Sequence, residues 1–307
     1  MISVRPFLNH DPPAIARLIN ECCNLEAEVS TNLLEFAVFA KTYFERDRFF
    51  VATIADQVQG FVHLGSKTTD NNETGTLTIA NYLVRESNLA VARTLLEHLA
   101  VFGKELGFQR LRIGTEPDRA EYYNGISTHF LNVGIPKTHP ILPVLEELGF
   151  RTIDSWQCLE FDVNNKQVPF TREQMSLRRT HILNQKSDPD LNSLTLNAIY
   201  SHLATSRLEL NDLKTGQTEA ALTYACLSHS YPNWPAGGVD VIGFSASNAF
   251  DASHFEFLLC EILRQLPQTG LSPLRIHIAA NDTQSLNTAE KIGFERVITS
   301  AHVEYTL

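Results

Sequence analysis

The sequence predicts an α+β protein made of two similar halves, each a mixed, mostly antiparallel sheet with helices on both faces. Three observations carry that expectation. ARTLLEHLAVFGKELGFQRLRI (92–113) and FEFLLCEILRQLPQTGLSPLRI (255–276) share one layout: a Leu-Leu pair opening an amphipathic helix, a glycine beyond it, then a Leu-Arg-Ile strand. The spacing repeats, with Leu95 to Gly107 and Leu258 to Gly270 both spanning 12 positions, and Gly107 to Leu111 and Gly270 to Leu274 both spanning 4. A second helix closed by Gly-Phe ahead of another strand then recurs, in ILPVLEELGFRTI (141–153) and in NTAEKIGFERV (287–297). Matched spacing across both units marks a duplication.

The elements follow in order. VRPF (4–7) reads as a strand, and PPAIARLINECC (12–23) as a helix opened by prolines, with Ile15, Leu18, Ile19 and Cys22 on one face. FFVATIADQVQGFVHLG (49–65) reads as a hairpin turning at Asp56-Gln57, and TGTLTIANYLV (74–84) as a third long strand. Glycine suits the helix ends because it takes left-handed dihedrals without a Cβ clash. A polar stretch, DVNNKQVPF (162–170), separates a first domain, 1–163, from a second, 164–307. In the second, RLELND and EAALTYACL form a hairpin across Lys214-Thr215-Gly216, and VDVIGFS is the matching third strand. Between them, REQMSLRRTHIL and LNSLTLNAIYSHL are expected to be a strand and a helix, like the start of the first half.

Composition narrows the function. At 307 residues with 43% hydrophobic and 20% charged, the chain can bury two cores. A formal net charge of −10 opposes phosphate backbones, and Arg178-Arg179 is the nearest approach to a basic patch, so no nucleic-acid partner is expected. No apolar leader or membrane-length run is visible, and the five cysteines follow no C-x-x-C spacing, so a reduced, cytoplasmic protein without a membrane partner is expected. No H-E-x-x-H or other close ligand spacing appears among the eleven histidines; His98 and His254 read as helix-surface residues, and no metal is expected. GFSAS (243–247) falls short of a nucleophile elbow because Ser247 stands at its fifth place.

The order of elements, with the Asn281 turn, the helix and the Gly-Phe hinge, resembles the GNAT superfamily of acyl-CoA-dependent N-acyltransferases. Because it occurs twice, the chain looks like a tandem GNAT, an arrangement also found in mycothiol synthase. The resemblance implies a loop of the form Gln/Arg-x-x-Gly-x-Gly/Ala whose amides hold the CoA pyrophosphate at a helix N-terminus, where free N–H groups and small residues suit an anion. Counting back from Leu95-Leu96 puts that loop on SNLAVAR, with Ser87 for Gln/Arg, Ala90 for the first Gly and Ala92 at the Gly/Ala place. The implied cofactor-binding residues are Leu83, Val84, Ser87, Asn88, Leu89, Ala90, Val91, Ala92, Arg93 and Asn281. The second half puts Phe250, Ser253 and Phe255 at the same loop positions; a phenyl ring at 255 is expected either to obstruct the loop or to show that the correspondence slips.

The tyrosine that protonates the thiolate in many relatives is replaced by Leu145 and Ala289, which carry no proton to give. Another acid or base is therefore sought in TEPDRAEYYNGISTHF (115–130), where Glu116, Tyr122 and Tyr123 are the catalytic candidates. Tyr231 and Trp234 in SYPNWPAGG (230–238) could cap an acceptor pocket or pack between the halves. The implied activity is transfer of an acyl group, most simply acetyl from acetyl-CoA, to the amine of a small molecule by a monomer or homodimer. The competing expectation is a non-catalytic protein that binds acyl-CoA or serves as a scaffold.

Overall fold

The structure is a computed structural model describing residues 1–23, 28–65, 75–114, 123, 133–226, 237–247 and 250–307. The first half runs β1 (Ile2–Pro6), α1 (Pro12–Cys22), α2 (Thr31–Leu34), β2 (Phe49–Ile54), β3 (Gln57–Leu64), β4 (Thr76–Val84), α3 (Leu89–Glu105), β5 (Arg110–Ile113), β6 (Ile135–Pro136), α4 (Ile141–Glu147) and β7 (Arg151–Phe161). The second runs α5 (Arg172–Thr180), β8 (His181–Ser187), α6 (Leu194–Tyr200), β9 (Ala204–Asp212), β10 (Thr218–Cys226), β11 (Val239–Ala246), α7 (Ala252–Thr269), β12 (Leu274–Ala279), α8 (Thr283–Ile292) and β13 (Glu295–Thr306). The α+β class and the duplicated halves are as the sequence implies.

Two details differ. The β2–β3 turn sits on Ala55-Asp56, both with left-handed backbone (φ 47° and 62°), one residue earlier than expected. REQMSLRR is helical, not extended: Thr171 caps α5 by accepting the Gln174 N–H, and β8 begins only at His181.

The strands form one continuous sheet in the order β1-β2-β3-β4-β5-β13-β7-β12-β11-β10-β9-β8, with β6 pairing to β13 off this path. Every adjacent pair is antiparallel except β4–β5 and β11–β12. The two halves exchange their last strands. β13, from the end of the second half, pairs with β5, while β7, from the end of the first, pairs with β12, and the two meet along Glu295↔Glu160 to Glu304↔Arg151. Repetition of the same helix-strand unit on either side of this seam gives the molecule an internal pseudo-twofold.

Apolar periodicity decides which face each helix covers. Leu95, Leu96 and Leu99 of α3 and Leu145 of α4 bury against Leu77, Ile79, Tyr82 and Leu111 on one face of the first half. Leu258, Leu259, Ile262 and Leu263 of α7 do the same with Leu222, Val239 and Leu274 in the second. The opposite faces share one core, in which Ile15 and Leu18 of α1 with Phe49, Phe61 and Leu83 adjoin Ile199 and Tyr200 of α6 and Ile242 of β11. Gly107, Gly149, Gly270 and Gly293, the four repeated helix-end glycines, all have left-handed backbone (φ 70° to 114°). Among the described residues, no helix is long and apolar enough to cross a membrane.

Candidate functional site

The geometry of a ligand site begins where paired strands part. β4 pairs in parallel with β5 only from Thr76↔Arg110 to Ile79↔Ile113, so Ala80–Val84 run on without that neighbour. In the second half β11 and β12 pair only at Val239↔Leu274 and Asp240↔Arg275 before parting. A bulge follows the last parallel pair in each half: pairing skips Ala80 between Asn81↔His63 and Ile79↔Leu64, and skips Ile242 between Gly243↔Thr223 and Val241↔Tyr224. The halves thus offer the same wedge twice, and the side chains around it decide which can work.

Leu83 and Val84 lie buried on the unpaired end of β4, and the Val84 carbonyl accepts from the Cys22 thiol at 3.6 Å. The chain then turns through Glu86 and Ser87, both left-handed (φ 50° and 51°), a conformation that costs a non-glycine residue roughly 1–2 kcal/mol. Asn88 caps α3: its Oδ1 accepts the N–H groups of Ala90 at 3.0 Å and Val91 at 3.2 Å, while the Ala92 N–H goes to the Asn88 carbonyl at 2.9 Å. Ala90 and Arg93 are exposed, Leu89 is half-buried and Ala92 is buried, its carbonyl accepting the Tyr82 hydroxyl at 2.5 Å. The cofactor-site candidates from Leu83 to Arg93 therefore share one corner, with three loop amides already engaged. Asn281 does not join them: it is exposed in the turn between β12 and α8 of the other half.

At the corresponding corner of the second half the cap is an acid. Asp251 accepts from the Ser253 N–H at 2.7 Å and its hydroxyl at 2.6 Å, which holds its carboxyl below the usual range although burial acts against this. Phe255 is buried, its ring 5.1 Å from Phe244 and 5.6 Å from Phe250, so the phenyl group predicted to obstruct the loop instead points into the core.

Of the catalytic candidates, Glu116 and Tyr122 lie outside the described residues, as do Tyr231 and Trp234. Tyr123 is buried, and its hydroxyl lies 3.1 Å from His63 Nδ1 on β3. Burial, aided by Arg48, lowers the His63 pKa to about 3, so the ring is neutral. Leu145 and Ala289, at the places of the missing tyrosines, are fully buried.

Sequence reasoning missed His63, whose place in a buried alternation reads as packing, and missed His302. His302 lies on β13 where β5 ends: a Cβ on Gly114 would fall against its ring, and one on Gly134 would come within 2.9 Å of it. Its ring stacks on Trp156 of β7 at 5.7 Å. Among the described residues, the His302 Nε2 and the Trp156 indole N–H have no hydrogen-bond partner although both are buried, and burial lowers the His302 pKa to about 4. Buried polar atoms of this kind call for a water or ligand group.

The second wedge opens onto a cavity of about 170 Å³ between α6 and β9–β11, lined by Tyr200, Arg207, Thr223, Gly243 and Ser245 among others. Strand register puts Arg207 and Thr223 where the first half has Phe49 and His63, so polar groups replace an aromatic cluster. Deeper in that half, fully buried Asp240 lies 3.4 Å from His277 and 3.8 Å from Arg275; burial raises its pKa despite both neighbours.

No family model and no curated protein matches this sequence. Solved structures do. A tandem GNAT protein from the clavulanic acid biosynthesis pathway superposes with a TM-score of 0.68 at 12% identity, over 100% of this chain and 98% of its own. A GCN5-related N-acetyltransferase from Sphaerobacter thermophilus gives 0.64 at 11% identity, over 99% and 95%. The glucosamine N-acetyltransferase region of a fungal multi-domain GH3 β-N-acetylglucosaminidase gives 0.68 at 12%, covering 99% of this chain and 38% of that one. At such identities the likeness is one of fold: this chain has the tandem GNAT fold over its full length.

Proposed function

We propose that a chain with this fold is an acetyl-CoA-dependent N-acetyltransferase acting on a small-molecule amine, with the cofactor in the first half. The observation that carries this reading is the contrast between the two wedge corners. The first offers the α3 N-terminus with methyl side chains at Ala90 and Ala92 and a neutral amide, Asn88, as its cap. The second places the carboxylate of Asp251 where the phosphates would lie, and like charge disfavours an anion there. Rotation of Asn88 frees the Ala90 and Val91 amides for a phosphate group, and Arg93 adds a charge at the helix surface. The strained Glu86-Ser87 turn leading into this corner fits a segment held for binding.

The chemistry asks for orientation first: amine and thioester must meet in the wedge with the leaving sulfur protonated. Tyr123, held by His63, is the described hydroxyl proposed as proton donor, with Glu116 and Tyr122 as the further candidates, Glu116 as base for the amine. A cytoplasmic location accompanies this reading, as do acetyl-CoA as co-substrate and a monomeric or homodimeric state. The second reading, a non-catalytic binder or scaffold, is favoured by one observation: three amides of the loop are already satisfied within the protein.

Calorimetric titration with acetyl-CoA separates a cofactor-binding chain from a scaffold, and acetyl transfer in an amine screen then separates an enzyme from a binder. One site on the intact chain, abolished by Ala90→Glu with an unchanged melting temperature, supports the assignment and justifies an amine screen. Binding that survives Ala90→Glu removes the first-half site, and no binding at all leaves the scaffold.

A further inference from the structure

At the outer edge of the second half, three elements bring together two imidazoles and a carboxylate that lie far apart in sequence. His181 opens β8, Glu219 lies on β10 and His254 is in the first turn of α7. His181 Nε2 is 2.8 Å and His254 Nε2 is 3.7 Å from Glu219 Oε2, the three ligand atoms all lie within 4.8 Å of one another, and the rings stand 5.6 Å apart. We propose that His181 Nε2, Glu219 Oε2 and His254 Nε2 form a site for a divalent transition-metal ion, Zn²⁺ by its donor set.

The distances suit that ion. Bonds of about 2.0–2.2 Å at tetrahedral angles place ligand atoms roughly 3.3–3.5 Å apart, and the observed 2.8 and 3.7 Å straddle this value. Two imidazoles and one carboxylate, with a fourth position left for water, is a donor set that zinc favours and that magnesium and calcium do not. Glu219 is 37% exposed against 8% for His181 and 14% for His254, so the ion has an approach through the carboxylate while both rings are sheltered. His254 is thus not the open helix-surface residue its sequence suggests.

The contacts around the rings are compatible with the same assignment. The Thr180 hydroxyl lies near two carbonyls, Ser176 at 3.2 Å and Leu177 at 3.4 Å, and it has one proton to give them. At 2.8 Å from His181 Nδ1 it can accept the Nδ1 proton while donating to one of these carbonyls, and in that tautomer the Nε2 lone pair faces the Glu219 carboxylate. A lone pair against a carboxylate is repulsive unless a cation lies between them, and either a second proton on the ring or a metal ion satisfies it. The Asp251 carboxylate stands 3.9 Å from His254 Nδ1, on the side from which a carboxylate orients a metal-bound imidazole but beyond hydrogen-bond distance. The ion would tie the terminal strand β8 and the N-terminus of α7 to β10, at the corner where this half has lost the features of a cofactor loop.

The test uses the full chain, stripped with a chelator, and no acetyl-CoA, so its result is independent of the acyltransferase reading. Titration with ZnCl₂ is expected to show one equivalent bound and a rise in melting temperature, and Co²⁺ is expected to give the intense visible bands of a four-coordinate site. His254→Gln and Glu219→Gln should each weaken Zn²⁺ binding at least tenfold, while their metal-free melting temperatures stay near that of the parent. The proposal is overturned if the parent binds no stoichiometric zinc, which would assign the cluster to a histidine–carboxylate hydrogen bond, or if binding persists in both variants, which would place the metal on other histidines or cysteines.

Discussion

His302 and His63 place two neutral imidazoles inside the protein, and this makes acid stability a residue-scale question. Burial lowers their pKa values to about 4 and about 3 from an ordinary 6.5. As pH falls, the unfolded chain takes up these protons first, so stability present above pH 6.5 is lost progressively down to the folded pKa of each group. A displacement of this size corresponds to about 3 kcal/mol or more per residue at full expression. We expect the stability of the parent to fall steeply between pH 6.5 and 4, and His302→Gln, which keeps bulk but cannot titrate, to flatten that slope when urea midpoints are followed against pH. An unchanged slope would mean that His302 is already solvated. Neither residue was legible as functional beforehand. In QGFVHLG a histidine within a buried alternation reads as packing, and the setting of His302 depends on β13 crossing from the other half to lie against Gly114. Tyr123 was singled out because it stands among polar residues after a strand, but its contact with His63 was not readable.

At the scale of elements, α3 is where the cap and the proposed cofactor would compete for the same amides. The Leu-Leu pair set the helix phase, and the structure places Leu83 and Val84 at the end of β4 and Leu89 to Arg93 in the first turns of α3. Counting against a family pattern hid a plainer signal: an asparagine just ahead of an apolar helix is a strong N-cap. The same signal was overlooked at Thr171, whose Thr-x-x-Gln sequence marks the start of α5 where a strand was expected. The competition yields a prediction in which stability and affinity move apart. Asn88→Ala removes the cap and should lower stability by about 1 kcal/mol, read from denaturant midpoints. It also releases the Ala90 and Val91 amides, so acetyl-CoA affinity should hold or rise. Asn88→Asp keeps the cap but adds a charge like that of Asp251, and affinity should fall. Loss of affinity in Asn88→Ala would show that the asparagine itself contacts the cofactor.

For the whole molecule, the duplication was readable from spacing and the exchange of strands was not, since a repeat looks the same whether its last strand returns to its own sheet or enters its neighbour's. The exchange has an energetic consequence. β5 holds only Arg110–Ile113, and the strand that covers its outer side is β13, with Glu304 reaching Arg112 at 2.9 Å and Arg110 at 3.6 Å. β7 lies between β12 and β13, both from the other half, and its Glu160 meets Arg275 at 2.6 Å. Residues 1–163 alone would therefore leave β5 with an open edge and β7 without either neighbour, a surface prone to association. The core on the wedge-facing side is shared as well, with Lys41 of the first half donating to Ser201 of the second at 2.7 Å. The halves should then unfold together although each carries a complete set of repeated elements. Scanning calorimetry of the intact chain is expected to show one transition whose calorimetric and van't Hoff enthalpies agree. The segments 1–163 and 164–307 are expected to be insoluble apart and soluble when co-expressed. Two resolved transitions, or a soluble and cooperatively folded first segment, would mean that each half can close its sheet with its own last strand and that the exchanged arrangement is one of two accessible pairings.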